Sequence, residues 1–233
     1  MISHKNLRNY YDNGFKNTAG WCSEKNFDVM EILDNVEINK NGGCMEIGIH
    51  HGKFFIMLNC LVDEKYPSFA IDVFDDQSLN IDRSGKGNLD AFKTNLINHD
   101  RHNGSNVKII KGDSTDPSLR LRDTIGLGTM RFISIDGGHT AEHTVSDLIL
   151  ANDLVNNQGI VILDDILNYH WLGVIEGTAK FISFHPTLVP FAIGYNKLYM
   201  CKLSFKEFYY KTFEESALKT KLVNFFGHSI VAL

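Results

Sequence analysis

No two of the four cysteines, Cys22, Cys44, Cys60 and Cys201, are close enough to form a CxxC pair, so the chain lacks the spacing of a zinc clip or a redox motif. Free thiols in a reducing cytoplasm are the expectation. Also missing are an apolar run of the roughly 20 residues that a membrane helix needs and, behind Met1-Ile2-Ser3-His4-Lys5-Asn6, the apolar core of a secretion signal. Excess positive charge is absent too. The formal net charge is −5, with Lys and Arg scattered along the chain, which gives no overall attraction for a phosphate backbone and favours a small or sugar-like ligand over nucleic acid. There is no internal repeat and no low-complexity tract. What remains is ordinary globular material: 233 residues, 43% hydrophobic and 22% charged, enough for one core and a single domain over residues 1–233. A homo-oligomer is left open.

Short β-rich apolar runs alternate with helical stretches, the pattern of a mostly parallel sheet with helices on both faces. Five runs, Cys44 to Ile47, Phe69 to Phe74, Val107 to Ile110, Arg131 to Ile135 and Gly159 to Leu163, each stop at or beside an acidic residue. Ligands of open α/β sheets sit at the carboxyl ends of strands, so that ending points to a site. Between the runs, Phe54 to Val62, Asn88 to Asn98 and Ala141 to Val155 have helical spacing. Residues 1–43 read as a helical lead-in. The polar stretch Asp75 to Gly87 reads as a loop that, with the helix after it, covers the site over residues 75–100. Further on, the sequence predicts a helix around Trp171 to Ile182 and strands at Leu188 to Ile193 and Lys197 to Leu203, joined by the turn Gly194-Tyr195-Asn196. The extension 204–233 reads as a helix around Phe205 to Leu222 and a short apolar end, Ser229 to Leu233.

The first run leads into the loop Glu46-Ile47-Gly48-Ile49-His50-His51-Gly52, whose glycines let backbone approach a ligand closely. Where a dinucleotide fingerprint G-x-G-x-x-G places its first glycine, this chain has Glu46. Its charge would repel a pyrophosphate and attract a cationic amino acid and sulfonium, so Glu46, Gly48 and Gly52 suit S-adenosylmethionine (AdoMet) rather than NAD. By spacing alone the segment is equally an ordinary strand-to-helix turn. Asp72, 20 residues after Gly52, stands where an acid accepts hydrogen bonds from ribose hydroxyls. Asp113 and Ser114 end the third run, where a carboxylate and a hydroxyl can read an adenine amine edge. Singly, each acid is a strand-end cap or turn residue; at successive strand ends they form a series.

The fourth run ends in Asp136-Gly137-Gly138-His139 and the fifth in Asp164-Asp165. If these strands are neighbours, three carboxylates converge, and like charges that close call for a hard divalent ion such as Mg²⁺ held by Asp136, Asp164 and Asp165. His139, one turn beyond Asp136, is placed to take the proton of an acceptor hydroxyl. The competing readings are a tight turn at Asp136, a helix cap at Asp164-Asp165, and side chains of consecutive residues pointing apart unless the strand ends there. His139-Thr140-Ala141-Glu142-His143 also satisfies H-x-x-E-H, a zinc peptidase signature, although that signature belongs inside a helix and His139 directly follows a strand and two glycines. Otherwise His143 and Asp147 read as helix-surface residues, and His50 and His51 either border the ligand or lie exposed on the loop.

The segments EIGIHHG, AIDVFDDQ, KGDST, FISIDGGHTAEHTVSDL and GIVILDD, within Gly43 to Leu203, resemble the class I AdoMet methyltransferases of the type 24 family. Asp136-Gly137-Gly138-His139 with a later acid pair is similar to the metal-dependent sugar O-methyltransferases of macrolide and aminocoumarin pathways. That resemblance implies a Rossmann-like α/β fold with a mostly parallel seven-stranded sheet, an antiparallel C-terminal strand and helices on both faces. It also implies O-methylation of a small-molecule or glycan hydroxyl, with Mg²⁺ on Asp136, Asp164 and Asp165 and His139 as base. The segment DDQSLNIDRSGKG is similar to one in methyltransferases of surface-polysaccharide pathways. A nucleic-acid amine methyltransferase would carry an N-P-P-Y-type segment after the fourth strand, and none is present. A non-enzymatic alternative is an AdoMet-binding scaffold.

Overall fold

A computed structural model describes residues 4–38 and 40–233; the first three residues of the expected helical lead-in lie outside the described residues. The lead-in contains α1 (Lys5–Asn13) and α2 (Asn26–Asn35). Five parallel strands follow: β1 (Gly43–Ile47), β2 (Ser68–Asp72), β3 (Val107–Lys111), β4 (Met130–Ile135) and β5 (Val155–Leu163). The intervening helices are α3 (Lys53–Asn59), α4 (Leu89–His99), α5 (Leu121–Ile125) and α6 (Ala141–Leu154). Both faces of β1 and β4 are covered, which is why they read as continuous apolar runs rather than alternating ones. The helices start where local chemistry allows. Asn88 caps α4 by accepting from the Ala91 amide at 2.8 Å, and Thr140 caps α6 through the His143 amide.

After β5 come α7 (Leu172–Phe184), β6 (Leu188–Gly194), β7 (Lys197–Lys202), α8 (Lys206–Glu214), β8 (Lys221–Phe225) and β9 (His228–Ala232). The strand order is β3-β2-β1-β4-β5-β7-β6-β9-β8. Strand β7 runs antiparallel to β5, as expected, but among the described residues the sheet has nine strands rather than seven. The helix expected to reach Leu222 ends at Glu214, and after a turn the extra pair begins at Lys221. Phe226 and Gly227, both with positive φ, make a two-residue hairpin turn, and β9 adds in parallel to β6.

Two apolar layers sandwich the sheet. On one face Phe27, Phe55, Leu58, Phe92 and Tyr209 pack around Cys44 and Phe132. On the other, Leu148 and Leu154 of α6 and Val174 and Phe181 of α7 cover Met45, Ile133 and Val161, each buried leucine contributing about 1.5–3 kcal/mol. The strand order reverses between β1 and β4, so the crevice for a ligand opens at the carboxyl ends of those two strands. Among the described residues no helix is long and apolar enough to cross a membrane.

Candidate active site

A cavity of about 680 Å³ occupies that crevice, lined by Gly48, Asp72, Asp113, Ser114, Asp136, His139, Asp164 and Asp165 among the residues expected from sequence. Gly48 has φ +85, and a β-carbon there would meet the Asp136 carbonyl at 1.8 Å, so only glycine lets the two strand ends approach this closely. Asp72 accepts from the Ile49 and His50 amides, the latter at 2.8 Å, and from the Phe74 amide. Its carboxylate thus moulds the loop. Burial alone would raise the Asp113 carboxyl, but the Thr115 amide and hydroxyl, both at 2.8 Å, and His143 hold it below the usual carboxylate range. His50 lines the cavity beside Trp21 and stacks on His51 at 4.1 Å; burial and that neighbour lower its pKa, so it is neutral at pH 7.

Two expected contacts lie behind the wall. Gly52, φ +90, starts α3, and a β-carbon there would strike the Phe92 ring at 2.6 Å, so its glycine serves helix entry and packing. Glu46 is 2% exposed, paired in register with Ser134 on β4, and does not line the cavity. Burial and the nearby Asp136 raise its pKa well above the ordinary value despite Lys197. Its carboxyl therefore sits behind the cavity wall and is not presented directly to a ligand. The carboxylates that face the cavity at the ends of β4 and β5 are Asp136, Asp164 and Asp165.

The acid pair is divided. β5 ends at Leu163 and Asp165 adopts φ +60, so the two side chains turn apart. Asp164 pairs with Lys197, a fully buried lysine whose ammonium also lies over the Phe54 ring at 4.1 Å. Asp165 accepts from Asn168 at 2.8 Å and Asn196 at 2.6 Å, and its other oxygen faces His139 Nε2 at 2.9 Å. The donor atoms that cluster are those of Asp136, His139 and Asp165, all within 4.8 Å of one another. Asp136, with 36% of its side chain open at the cavity wall, is pushed up to about 7 by enclosure and by Asp164. Burial alone would lower His139, but contacts to Asp136, Asp165 and Asp82 push it up to about 11. His139 and Lys197 are the basic side chains that meet these acids.

His139 is held on every side. Asp82, from the loop after β2, accepts from its backbone amide and meets Nδ1, both at 2.7 Å. Trp171 stacks on the ring at 4.4 Å, and Gly173 lets α7 press against its carbonyl. His143 does not join it; that imidazole faces Asp113 at 3.4 Å, so the two histidines of the H-x-x-E-H match address different carboxylates. Nor are His143 and Asp147 surface residues: Asp147 is 1% exposed, with neither carboxyl oxygen hydrogen-bonded. Sequence reasoning also missed Asp82, Asn168, Asn196 and Lys197. Only Lys197 carried a local signal, a lysine opening the otherwise apolar run Leu198 to Cys201.

No curated protein matches the sequence. Among solved structures, an O-methyltransferase from Bacillus cereus in complex with SAH aligns with a TM-score of 0.58 at 15% identity, over 84% of this chain and 89% of that one. The O-methyltransferase NovP gives 0.56 at 17% identity over 75% and 78%. CalS11, a TDP-rhamnose 3'-O-methyltransferase of calicheamicin biosynthesis, gives 0.51 at 15% over 75% and 76%. At such identities the likeness is one of fold. The family model described as a methyltransferase domain matches residues 45–166, more than half of the chain. That span opens in β1 and closes just past Asp165, taking in the strand ends on both sides of the crevice, and the chain belongs to this methyltransferase family, type 24.

Proposed function

We propose that the protein is an AdoMet-dependent O-methyltransferase that methylates a sugar or glycoside hydroxyl with a divalent metal, acting as a single domain in the cytoplasm. One observation carries the reading: Asp136, Asp165 and His139 meet within 4.8 Å in the cavity that also holds the glycine loop. The loop amides braced by Asp72, with Gly48, Asp113 and Ser114, form the nucleoside side. On the acceptor side stand Asn80, Asn168 and Asn196, and both tryptophans of the chain, Trp21 and Trp171, line the same cavity. Amides and flat aromatic faces suit a ligand with hydroxyls on its edges and apolar ring faces. The similarity of fold to a TDP-rhamnose methyltransferase agrees with that acceptor class.

The donor set fits a hard divalent ion. His139 Nε2 is buried without a well-oriented hydrogen bond, between two carboxylates. We assign the ion to Asp136 and Asp165, since Mg²⁺ is commonly held by one or two carboxylates with substrate oxygens and water completing the shell. Asp164, engaged by Lys197, is left out of the set expected from sequence. Such an ion would lower the pKa of a bound hydroxyl and take over the charge balance now supplied by the imidazolium. His139 then accepts the hydroxyl proton at Nε2 while the acceptor oxygen bonds to the methyl carbon and the carbon–sulfur bond breaks. Asp165 and Asp136 stabilise the resulting imidazolium.

Calorimetry with AdoMet and S-adenosylhomocysteine tests the cofactor: stoichiometric binding is expected, and no binding of either overturns the assignment. Methyl transfer to a panel of nucleotide sugars, with and without chelator, tests the metal. Asp136→Asn and Asp165→Asn should lose more in metal affinity than the roughly 10–100-fold typical of residues that only support a metal ligand, and Asp164→Asn much less. Equal losses in all three would restore Asp164 to the ligand set.

A further inference from the structure

The loop from Asp75 to Gly87 is braced mainly on itself: Asn80 donates to the Ser84 carbonyl at 2.7 Å, Gln77 to the Phe74 carbonyl at 2.8 Å, and the Ser84 amide to Asp82 at 2.9 Å. Beyond bonds to the adjoining residues 74–76, the hydrogen bonds that tie residues 77–86 to the rest of the protein, among the described residues, are those between Asp82 and His139. One carboxylate oxygen, Oδ2 of Asp82, receives both the backbone amide and Nδ1 of His139, while Oδ1 is occupied within the loop by Ser84. The pair is protected, with side-chain exposures of 8% for His139 and 11% for Asp82. The loop crosses the cavity, and Leu79, Ile81 and Asp82 all line it.

We propose that Asp82 is a positioning residue for the methyl-transfer base and the latch of this loop, an inference that rests on the reading of His139 given above. A carboxylate at Nδ1 keeps the proton on that nitrogen and turns Nε2 toward Asp136 and Asp165, where the acceptor hydroxyl would lie. Because the second hydrogen bond comes from the His139 backbone, the carboxylate fixes ring and main chain together. The base is held in its working orientation when the loop is down. When the loop lifts, His139 loses the partner that sets its tautomer, and the cavity opens to water.

The two partners are not equivalent: Asp82→Ala removes both hydrogen bonds, whereas His139→Ala removes the one at Nδ1 and leaves that of the backbone amide. Arg83 and Lys86 are exposed and offer trypsin two cleavage points within the loop, while Arg122 on α5 reports on opening elsewhere. In the full chain, Asp82→Ala should speed cleavage after Arg83 or Lys86 by about 10-fold and His139→Ala by less, and the double variant should add little to Asp82→Ala. Cleavage after Arg122 should stay at the wild-type rate; acceleration there as well would mean global destabilisation and overturn the latch. Nitrogen-15 imidazole spectra supply the readout that a merely structural role would not move. In the wild type His139 shows a slowly exchanging, downfield Nδ1–H; in Asp82→Ala that signal is lost, and in Asp82→Asn, whose amide oxygen still accepts, it is partly restored. An Nδ1–H unchanged in Asp82→Ala overturns the positioning role. S-adenosylhomocysteine binding to the wild type separates the two ideas: binding with a wild-type cleavage rate in Asp82→Ala sinks the latch alone, whereas no binding sinks the functional reading.

Discussion

Among single residues, Asp147 shows how a position that reads as surface becomes a liability when buried. It lies under Gly137, with Ser114 and His143 nearby, and burial pushes its carboxyl up to about 7, those two neighbours lowering it only in part. An acid raised in the folded state binds its proton more tightly there than in the unfolded chain, so stability falls as pH rises from the ordinary value of 3.8 through about 7 and levels off above it. The span sets an upper limit of about 4 kcal/mol. Asp147→Asn should therefore raise the melting temperature clearly at pH 8 and little at pH 5, measured by calorimetry at both. An equal gain at both pH values would mean the carboxyl is ionised in the folded protein. The site at this scale was legible where the chemistry was announced by a strand end: Gly48, Asp72, Asp113, Asp136 and Asp165 reach the cavity. Glu46 does not line the cavity because alternation along β1 buries its side chain on the face covered by α1 to α3, behind Asp136 and Lys197. The pairings of Asp82 and Lys197 could not be read, because their partners lie 57 and 33 residues away in sequence, although a lysine opening the apolar run Leu198 to Cys201 stood out.

Among the elements, the joint between β1 and β4 carries the tightest constraint. A β-carbon at position 48 would overlap the Asp136 carbonyl, and φ +85 is strained for any side chain. Gly48→Ala should cost about 1–3 kcal/mol of stability and weaken AdoMet binding at least 10-fold by pushing Asp136 away; a variant that binds as the wild type would show that the strand ends can part without harm. The lead-in is fastened to the same strand by a buried ion pair, Arg131 to Asp34 at 2.8 Å, with Arg131 also donating to the Leu61 carbonyl. Arg131→Ala should lower unfolding free energy by about 3 kcal/mol, read from urea titration, toward the low end because Lys40 and His4 also approach Asp34. Helix and strand periods located β1 to β5 and α3, α4, α6 and α7, most plainly at β1 and β4, whose two faces are both buried; α5, only five residues long, was not foreseen. They failed at β8, whose side chains are mostly exposed and so bear no alternation to read.

In the whole molecule, the C-terminal hairpin closes the core at the β6 side. Ile230 and Val231 are fully buried, and β9 pairs with β6 through Ala192 and Ile193. A chain ended after Glu215 should expose that edge and self-associate, visible as high-mass species in size-exclusion chromatography together with a lower melting temperature. A monodisperse truncated chain of unchanged stability would show the hairpin to be an ornament of the sheet.

The turn between β6 and β7 sets an order in time as well as in space. Tyr195 and Asn196, both left-handed, swing Asn196 onto Asp165 and deliver Lys197 to Asp164. The acids of the cavity are all synthesised before their buried cation. On a ribosome, a nascent chain displaying only residues up to Asp165 would hold His139 among Asp82, Asp136 and Asp165 but leave Asp164 without its lysine. Competence for the cofactor should therefore arrive in one step, once β7 has emerged and docked beside β5.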